Sequence, residues 1–133
     1  MIEQLAIYLE NRCGRVAECC KVFNDNDINL KYISIADTTD FGILRVITDN
    51  NEKAKTVLQN SGFIVTNVSL IGVEVNDTPG ELASLLNLFS TNNIDISYLY
   101  SFKNKEGKDI IAFKATKEQL ALDILKNSNK KII

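Results

Sequence analysis

The chain has no histidine. That absence excludes histidine acid–base catalysis, Ser-His-Asp and Cys-His nucleophile activation, and most zinc sites. Tryptophan is missing too, which weakens the case for a large aromatic cage. No apolar run approaches the roughly 18–20 residues that a membrane helix needs, so no membrane partner is expected. The opening Met1-Ile2-Glu3-Gln4 shows no basic stretch leading into an apolar one. No secretory signal is therefore visible, and the cytoplasm is the expected compartment. A net charge of −2 and a pI near 5.2 argue against non-specific nucleic-acid binding. No cluster of lysine and arginine interleaved with aromatics offsets that. The three cysteines, Cys13, Cys19 and Cys20, lack the C-x-x-C spacing of a metal pair. An odd number of them suits free thiols in a reducing compartment. No metal, no cofactor and no catalytic centre are expected.

What is present is an internal repeat within 133 residues, of which 45% are apolar and 24% charged. Gly14 and Gly80 lie 66 positions apart, and at that offset residues 6–36 align with 72–102 without a gap. Identical pairs include Ala17/Ala83, Phe23/Phe89, Asn26/Asn92, Ile28/Ile94 and Tyr32/Tyr98. Past the first hairpin the offset becomes 67, setting Gly42–Val46 against Asp109–Phe113. A period of this length marks a repeated structural unit.

Each unit reads as the same succession of elements. Leu5, Ile7 and Leu9 alternate like one face of a strand, and Ile71, Val73 and Val75 are their copies. Val16, Cys19, Cys20 and Phe23 recur at i, i+3, i+4 and i+7, as do Leu82, Leu85, Leu86 and Phe89, which predicts a helix in each unit. Polar clusters at 24–27 and 90–93 end those helices. Hairpins are predicted over 28–36 with 41–48 and over 94–102 with 109–115, the second turning at Asn104-Lys105-Glu106-Gly107. Second helices follow at about Asn51–Asn60 and Lys117–Lys126, then last strands at Phe63–Thr66 and Lys130–Ile133.

The order is βαββαβ, twice. The expected class is α+β: two ferredoxin-like units, 1–67 and 68–133, each an antiparallel sheet with both helices on one face. A unit of about 66 residues buries only ~60% of its unfolded surface. The two are therefore expected to pack side by side. Asn67-Val68-Ser69 lacks proline and glycine, so no flexible linker is expected between them.

Two strand-to-helix corners stand out, Asn11-Arg12-Cys13-Gly14-Arg15-Val16 and Asp77-Thr78-Pro79-Gly80-Glu81-Leu82. The second admits a purely structural account, with Thr78 as N-cap, Pro79 as first helical residue and Glu81 completing a capping box. It equally admits a ligand site. Gly80 lets a ligand approach the backbone, the helix start favours a carboxylate, and Asp77 suits an ammonium group. The first corner breaks local rules, because Arg12 and Arg15 place positive charge at the positive end of a helix. Either an anion binds there, or both arginines point to solvent or pair with Asp37 or Asp40. If only one corner binds, the first is favoured, with the turn from Asp37 through Thr38 to Phe41 helping to enclose it. Cys19 and Cys20 match Leu85 and Leu86 and read as core residues, whereas Cys13 sits between two arginines at a helix start.

The βαββαβ order, the Asp77-Thr78-Pro79-Gly80 corner, Ala17 and Ala83 three beyond the glycines, and the run Ser34-Ile35-Ala36-Asp37-Thr38-Thr39-Asp40-Phe41-Gly42-Ile43-Leu44-Arg45 together resemble the ACT family. The likeness is to stand-alone proteins made of two ACT domains. It implies regulatory binding of a small molecule, an amino acid above all, at a glycine corner near an interface between units. A homo-oligomer, with a dimer favoured, and an unidentified protein partner are the expected associations. The alternative is a structural or oligomerisation module whose ligand site has degenerated.

Overall fold

Four helices end in the same way, and this local signal divides the chain more sharply than any linker. In the computed structural model, which describes residues 1–10, 12–37 and 41–133, Asp27, Gly62, Asn93 and Asn129 all take positive φ just past a helix. After each of them an amide reaches back five residues, as in Ile28 N–H to Phe23 O at 2.9 Å and Ile94 N–H to Phe89 O at 3.0 Å. Phe63 and Lys130 do the same to Leu58 and Leu125. This closure satisfies carbonyls that a helix end leaves open.

The elements are β1 (Ile2–Glu10), α1 (Arg15–Asp25), β2 (Leu30–Asp37), β3 (Phe41–Thr48), α2 (Asn51–Asn60), β4 (Ile64–Val75), α3 (Glu81–Ser90), β5 (Ile96–Lys103), β6 (Asp109–Ala115), α4 (Glu118–Asn127) and β7 (Lys131–Ile132). Chain contacts divide them into one unit of Glu3–Val68 and another of Met1–Ile2 with Ser69–Ile133. The division falls inside β4, a strand of 12 residues with no loop at the junction.

Within the first unit the strand order is β2-β3-β1-β4, and β3 is antiparallel to both neighbours. Leu5 faces Val46 and Ile7 faces Leu44 across the ladder, so the alternating residues of β1 share one face with those of β3. Both helices cover that face, where Cys19 and Phe23 of α1 and Ala54 and Leu58 of α2 complete the core. An Asn50 carboxamide caps α2 by accepting the Lys53 amide at 3.1 Å.

The second unit repeats this with strand order β5-β6-β4-β7. Its core sets Ile71, Val73, Leu85, Phe89 and Ile94 where the first has Leu5, Ile7, Cys19, Phe23 and Ile28. The register slips between Ile96 and Tyr98 just as it does between Leu30 and Tyr32, so even the β-bulge is copied. Asn104 accepts the amides of Glu106 and Lys108 at 2.9 Å each and builds the expected turn. Cys19, in the place of Leu85, is fully buried. Burial pushes its thiol up to about 12, so it behaves as a small apolar core residue.

Candidate functional site

The two corners have one backbone. Gly14 sits at φ 84°, ψ −2° and Gly80 at φ 91°, ψ −12°, both left-handed and both immediately before the helix. Before each glycine a tight turn forms, with Arg12 N–H to Glu10 O at 2.8 Å and Thr78 N–H to Asn76 O at 2.9 Å. After each, the glycine carbonyl accepts the amide four residues on, from Glu18 and from Ser84, at 2.9 Å. A left-handed residue here would strain any side chain by roughly 1–2 kcal/mol, which is why glycine occupies both positions.

This geometry corrects the capping account of the second corner. The N-cap is Gly80 and no side chain caps α3. Thr78 therefore lies two residues outside the helix, Pro79 one outside, and Glu81 is the first helical residue. The Glu81 carboxylate accepts from the Asn76 side chain at 3.3 Å instead of closing a capping box. The physical reason is that glycine supplies the turn through its backbone, leaving a hydroxyl cap nothing to do. Gly14 is likewise the cap of α1, with no side-chain bond.

The arginines of the first corner are held by Glu18 and Glu10. Arg12 grips Glu18 with both prongs, Nη1 to Oε1 at 2.9 Å and Nη2 to Oε2 at 3.1 Å. Arg15 Nη1 donates to the same carboxylate at 2.9 Å, and Glu10 stands 3.6 Å from each arginine. Two positive and two negative side chains thus offset one another around the helix start. The paired arginines hold the Glu18 carboxyl below its ordinary range, and Glu18 in turn raises Arg12. Arg15 is the more enclosed arginine, with a side chain 12% exposed. Its guanidinium lies 4.0 Å from the centre of the Phe63 ring. Its Nε is shut off from solvent and has no hydrogen-bond partner among the described residues.

A cavity of about 450 Å³ opens beside this cluster. Tyr8, Phe41 and Ile64 form its apolar wall, Leu9 and Gly62 its back, and Glu10 and Arg15 its two charged groups. The Tyr8 and Phe41 rings stand 5.9 Å apart, and all three wall residues are exposed. Of the residues expected from the sequence, Arg15 and Phe41 line this cavity. Arg12, Cys13, Gly14 and Val16 are exposed nearby without lining it. Asn11, Thr38, Thr39 and Asp40 lie outside the described residues, and Asp37 is described by its backbone alone as the end of β2.

The second corner has its own cavity, of about 260 Å³, lined by Glu74, Val75, Asn76, Glu81, Asn129, Lys130 and Lys131. All but Lys130 are repeat copies of the first lining, and the copy of Phe41, Lys108, is not among them. Tyr8 becomes Glu74, Glu10 becomes Asn76, Arg15 becomes Glu81, Gly62 becomes Asn129 and Ile64 becomes Lys131. Glu74 and Lys131 form an ion pair of 3.0 Å where the first unit presents apolar wall. Of the expected residues only Glu81 lines this second cavity, while Asp77, Thr78, Pro79, Gly80 and Leu82 are exposed around it. Gly62 and Ile64 were missed because they reach the corner from about 50 residues away in sequence, whereas Tyr8 and Glu10 lie beside it on β1 and only the fold shows that they line the cavity. The signal that finds them is the repeat offset itself, which pairs apolar residues of one unit with charged residues of the other.

Among the described residues no group of three or more potential ligands is placed to hold a metal ion. Nor is any helix among them long and apolar enough to cross a membrane.

A family model described as an ACT domain pair matches residues 1–133. The solved protein BT0572 from Bacteroides thetaiotaomicron superposes with TM-score 0.88 at 32% identity, covering 99% of this chain and 91% of that one. The ligand-free regulatory subunit of aspartate kinase from Thermus thermophilus shares the fold at TM-score 0.60 and 13% identity, over 94% of this chain and 91% of that one. The corresponding subunit from Thermus flavus gives 0.58 and 13%, over 94% and 90%. No curated protein is detectably similar in sequence.

Proposed function

This chain belongs to the ACT domain-pair family, and we propose that it is a regulatory protein that binds an amino acid at its first corner. ACT domains are small-molecule-sensing regulatory modules without catalytic machinery of their own. The observation that carries the proposal is the cavity beside Gly14, where Glu10 and Arg15 stand among Tyr8, Phe41 and Ile64. An amino acid is a zwitterion. Its carboxylate suits the guanidinium of Arg15, and its ammonium group suits Glu10. The apolar wall takes the rest of the molecule.

Output then passes through association. Regulatory subunits of aspartate kinase share this fold, and the protein acts through a homo-oligomer, a dimer first, or through a separate partner chain in the cytoplasm. A second reading, an oligomerisation module with a degenerate site, draws on Ile33 and Ile35, which are 43% and 54% exposed on the β2 edge. It also draws on the arginine charges being offset within the chain.

A thermal-shift screen of the twenty amino acids separates the two. A ligand that binds only the native state raises the melting temperature by mass action, by about 2.7 kcal/mol of stability at a hundredfold excess over Kd. A rise for one or a few amino acids supports the sensor, and no rise for any supports the module.

A further inference from the structure

We infer that the first corner, rather than the second, binds the amino acid and that this ligand carries an uncharged, apolar side chain. The inference rests on the sensor reading above and narrows it. Among the described residues the lining of the first cavity contains one positive and one negative side chain, Arg15 and Glu10, which stand 3.6 Å apart, so a bound zwitterion leaves the balance of charge there unchanged. A further charge on the ligand would find no counterpart in that lining. The remaining described side chains that line the space, Tyr8, Leu9, Phe41 and Ile64, offer carbon surface and one phenol. A hydroxyl or amide on the ligand would find only the Tyr8 phenol as an uncharged partner among these side chains, whereas each added methylene gains burial. At about 450 Å³ the space exceeds what a main chain alone requires.

The repeat supplies the contrast. Backbone geometry at Gly80, φ 91° and ψ −12°, reproduces that at Gly14, φ 84° and ψ −2°, to about 10°. The second cavity nonetheless replaces Arg15 with Glu81 and Ile64 with Lys131, and it is smaller at about 260 Å³. Glu81 would repel a carboxylate where Arg15 attracts one. Glu74, whose side chain is 17% exposed, already holds Lys131 across the place where Tyr8 and Ile64 make the apolar wall. One frame thus carries two linings, and only the first suits an apolar amino acid.

Isothermal titration calorimetry on the whole chain tests this, with leucine and phenylalanine against alanine, serine, aspartate and lysine. Leucine or phenylalanine is expected to bind at one per chain and at least about tenfold tighter than alanine, a difference of about 1.4 kcal/mol. Ile64→Lys, which installs the second unit's residue at an exposed position, is expected to weaken that binding at least about tenfold while the circular dichroism and melting temperature stay near wild type. Glu81→Gln at the second corner is expected to change neither affinity nor stoichiometry. Tighter binding of serine, aspartate or lysine, two ligands per chain, or full affinity in Ile64→Lys would overturn the inference and leave the sensor standing. Failure of every amino acid to bind would overturn both.

Discussion

Arg15 lies over the Phe63 ring, its guanidinium carbon 4.0 Å from the ring centre. The stack fixes one face of the guanidinium while Nη1 holds Glu18 at 2.9 Å. Only arginine combines a planar cation with a fork of donors, so lysine is not an equivalent here. Arg15→Lys and Arg15→Gln are both expected to lose about 0.5–2 kcal/mol of stability with the stack. Both are also expected to lower amino-acid affinity about tenfold or more, as urea melts and calorimetry would measure. The double variant Arg12→Gln, Arg15→Gln should bind no better than Arg15→Gln alone. Undiminished affinity in the double variant would remove Arg15 from the site.

Glu18 makes the first corner sensitive to acid. Its carboxyl is held below the ordinary value of 4.5, first by the hydrogen bond from Arg12 and then by that from Arg15. A group whose value falls on folding contributes its full stability above the unfolded value and loses it as pH drops through the folded one. Glu18→Gln lacks that contribution at every pH. The melting temperature of the wild type should therefore exceed that of Glu18→Gln most at neutral pH, with the gap closing below about 4.5. A gap that stays constant from about pH 7 to about pH 3 would contradict the pairing.

Gly14→Ala and Gly80→Ala isolate the backbone from packing. A methyl group at either position meets nothing within 4 Å, yet both residues have φ above 80°. Each variant should lose roughly 1–2 kcal/mol from left-handed strain alone, and the two losses should be similar. Chemical denaturation would measure them. A cost at one corner and none at the other would mean that the two turns are not the same.

Gly72 differs, because there the space is taken. Its φ is not positive, but a Cβ would stand 2.8 Å from Ile2 Cγ1 and closer still to Cδ1. Gly72→Ala should cost about 1–3 kcal/mol by overpacking. Ile2→Ala in the same chain should recover part of that loss, giving a non-additive double-mutant cycle. Additive losses would show that Ile2 is not what fills the space.

Much of the fold could be read from the residues because the chain states it twice. The offset of 66 aligned Cys19 with Leu85 and so placed a cysteine in a core before any burial was known. The turn at Asn104–Gly107 followed from local chemistry alone. Capping at Thr78 failed because hydroxyl, proline and glutamate all fitted a familiar pattern, while the feature that decided the turn was a backbone angle at Gly80. The partner of Arg12 was missed for a related reason. Arg15 and Glu18 stand at the i, i+3 spacing of a helix, whereas Arg12 precedes the helix and meets Glu18, six residues on, because the left-handed glycine folds the chain back. Two of the three wall residues, Phe41 and Ile64, come from β3 and β4, and local sequence around the corner carries no trace of them.

The shared backbone of the two corners provides an internal blank. Gly14 and Gly80 are glycines in one conformation, in one molecule, at one temperature and one concentration. In a nitrogen–proton correlation spectrum each gives its own amide signal, and the second reports every general effect of an added compound, from viscosity to pH drift. A displacement of the Gly14 signal that Gly80 does not share therefore reports occupancy of the first corner directly, with the reference already built into the chain.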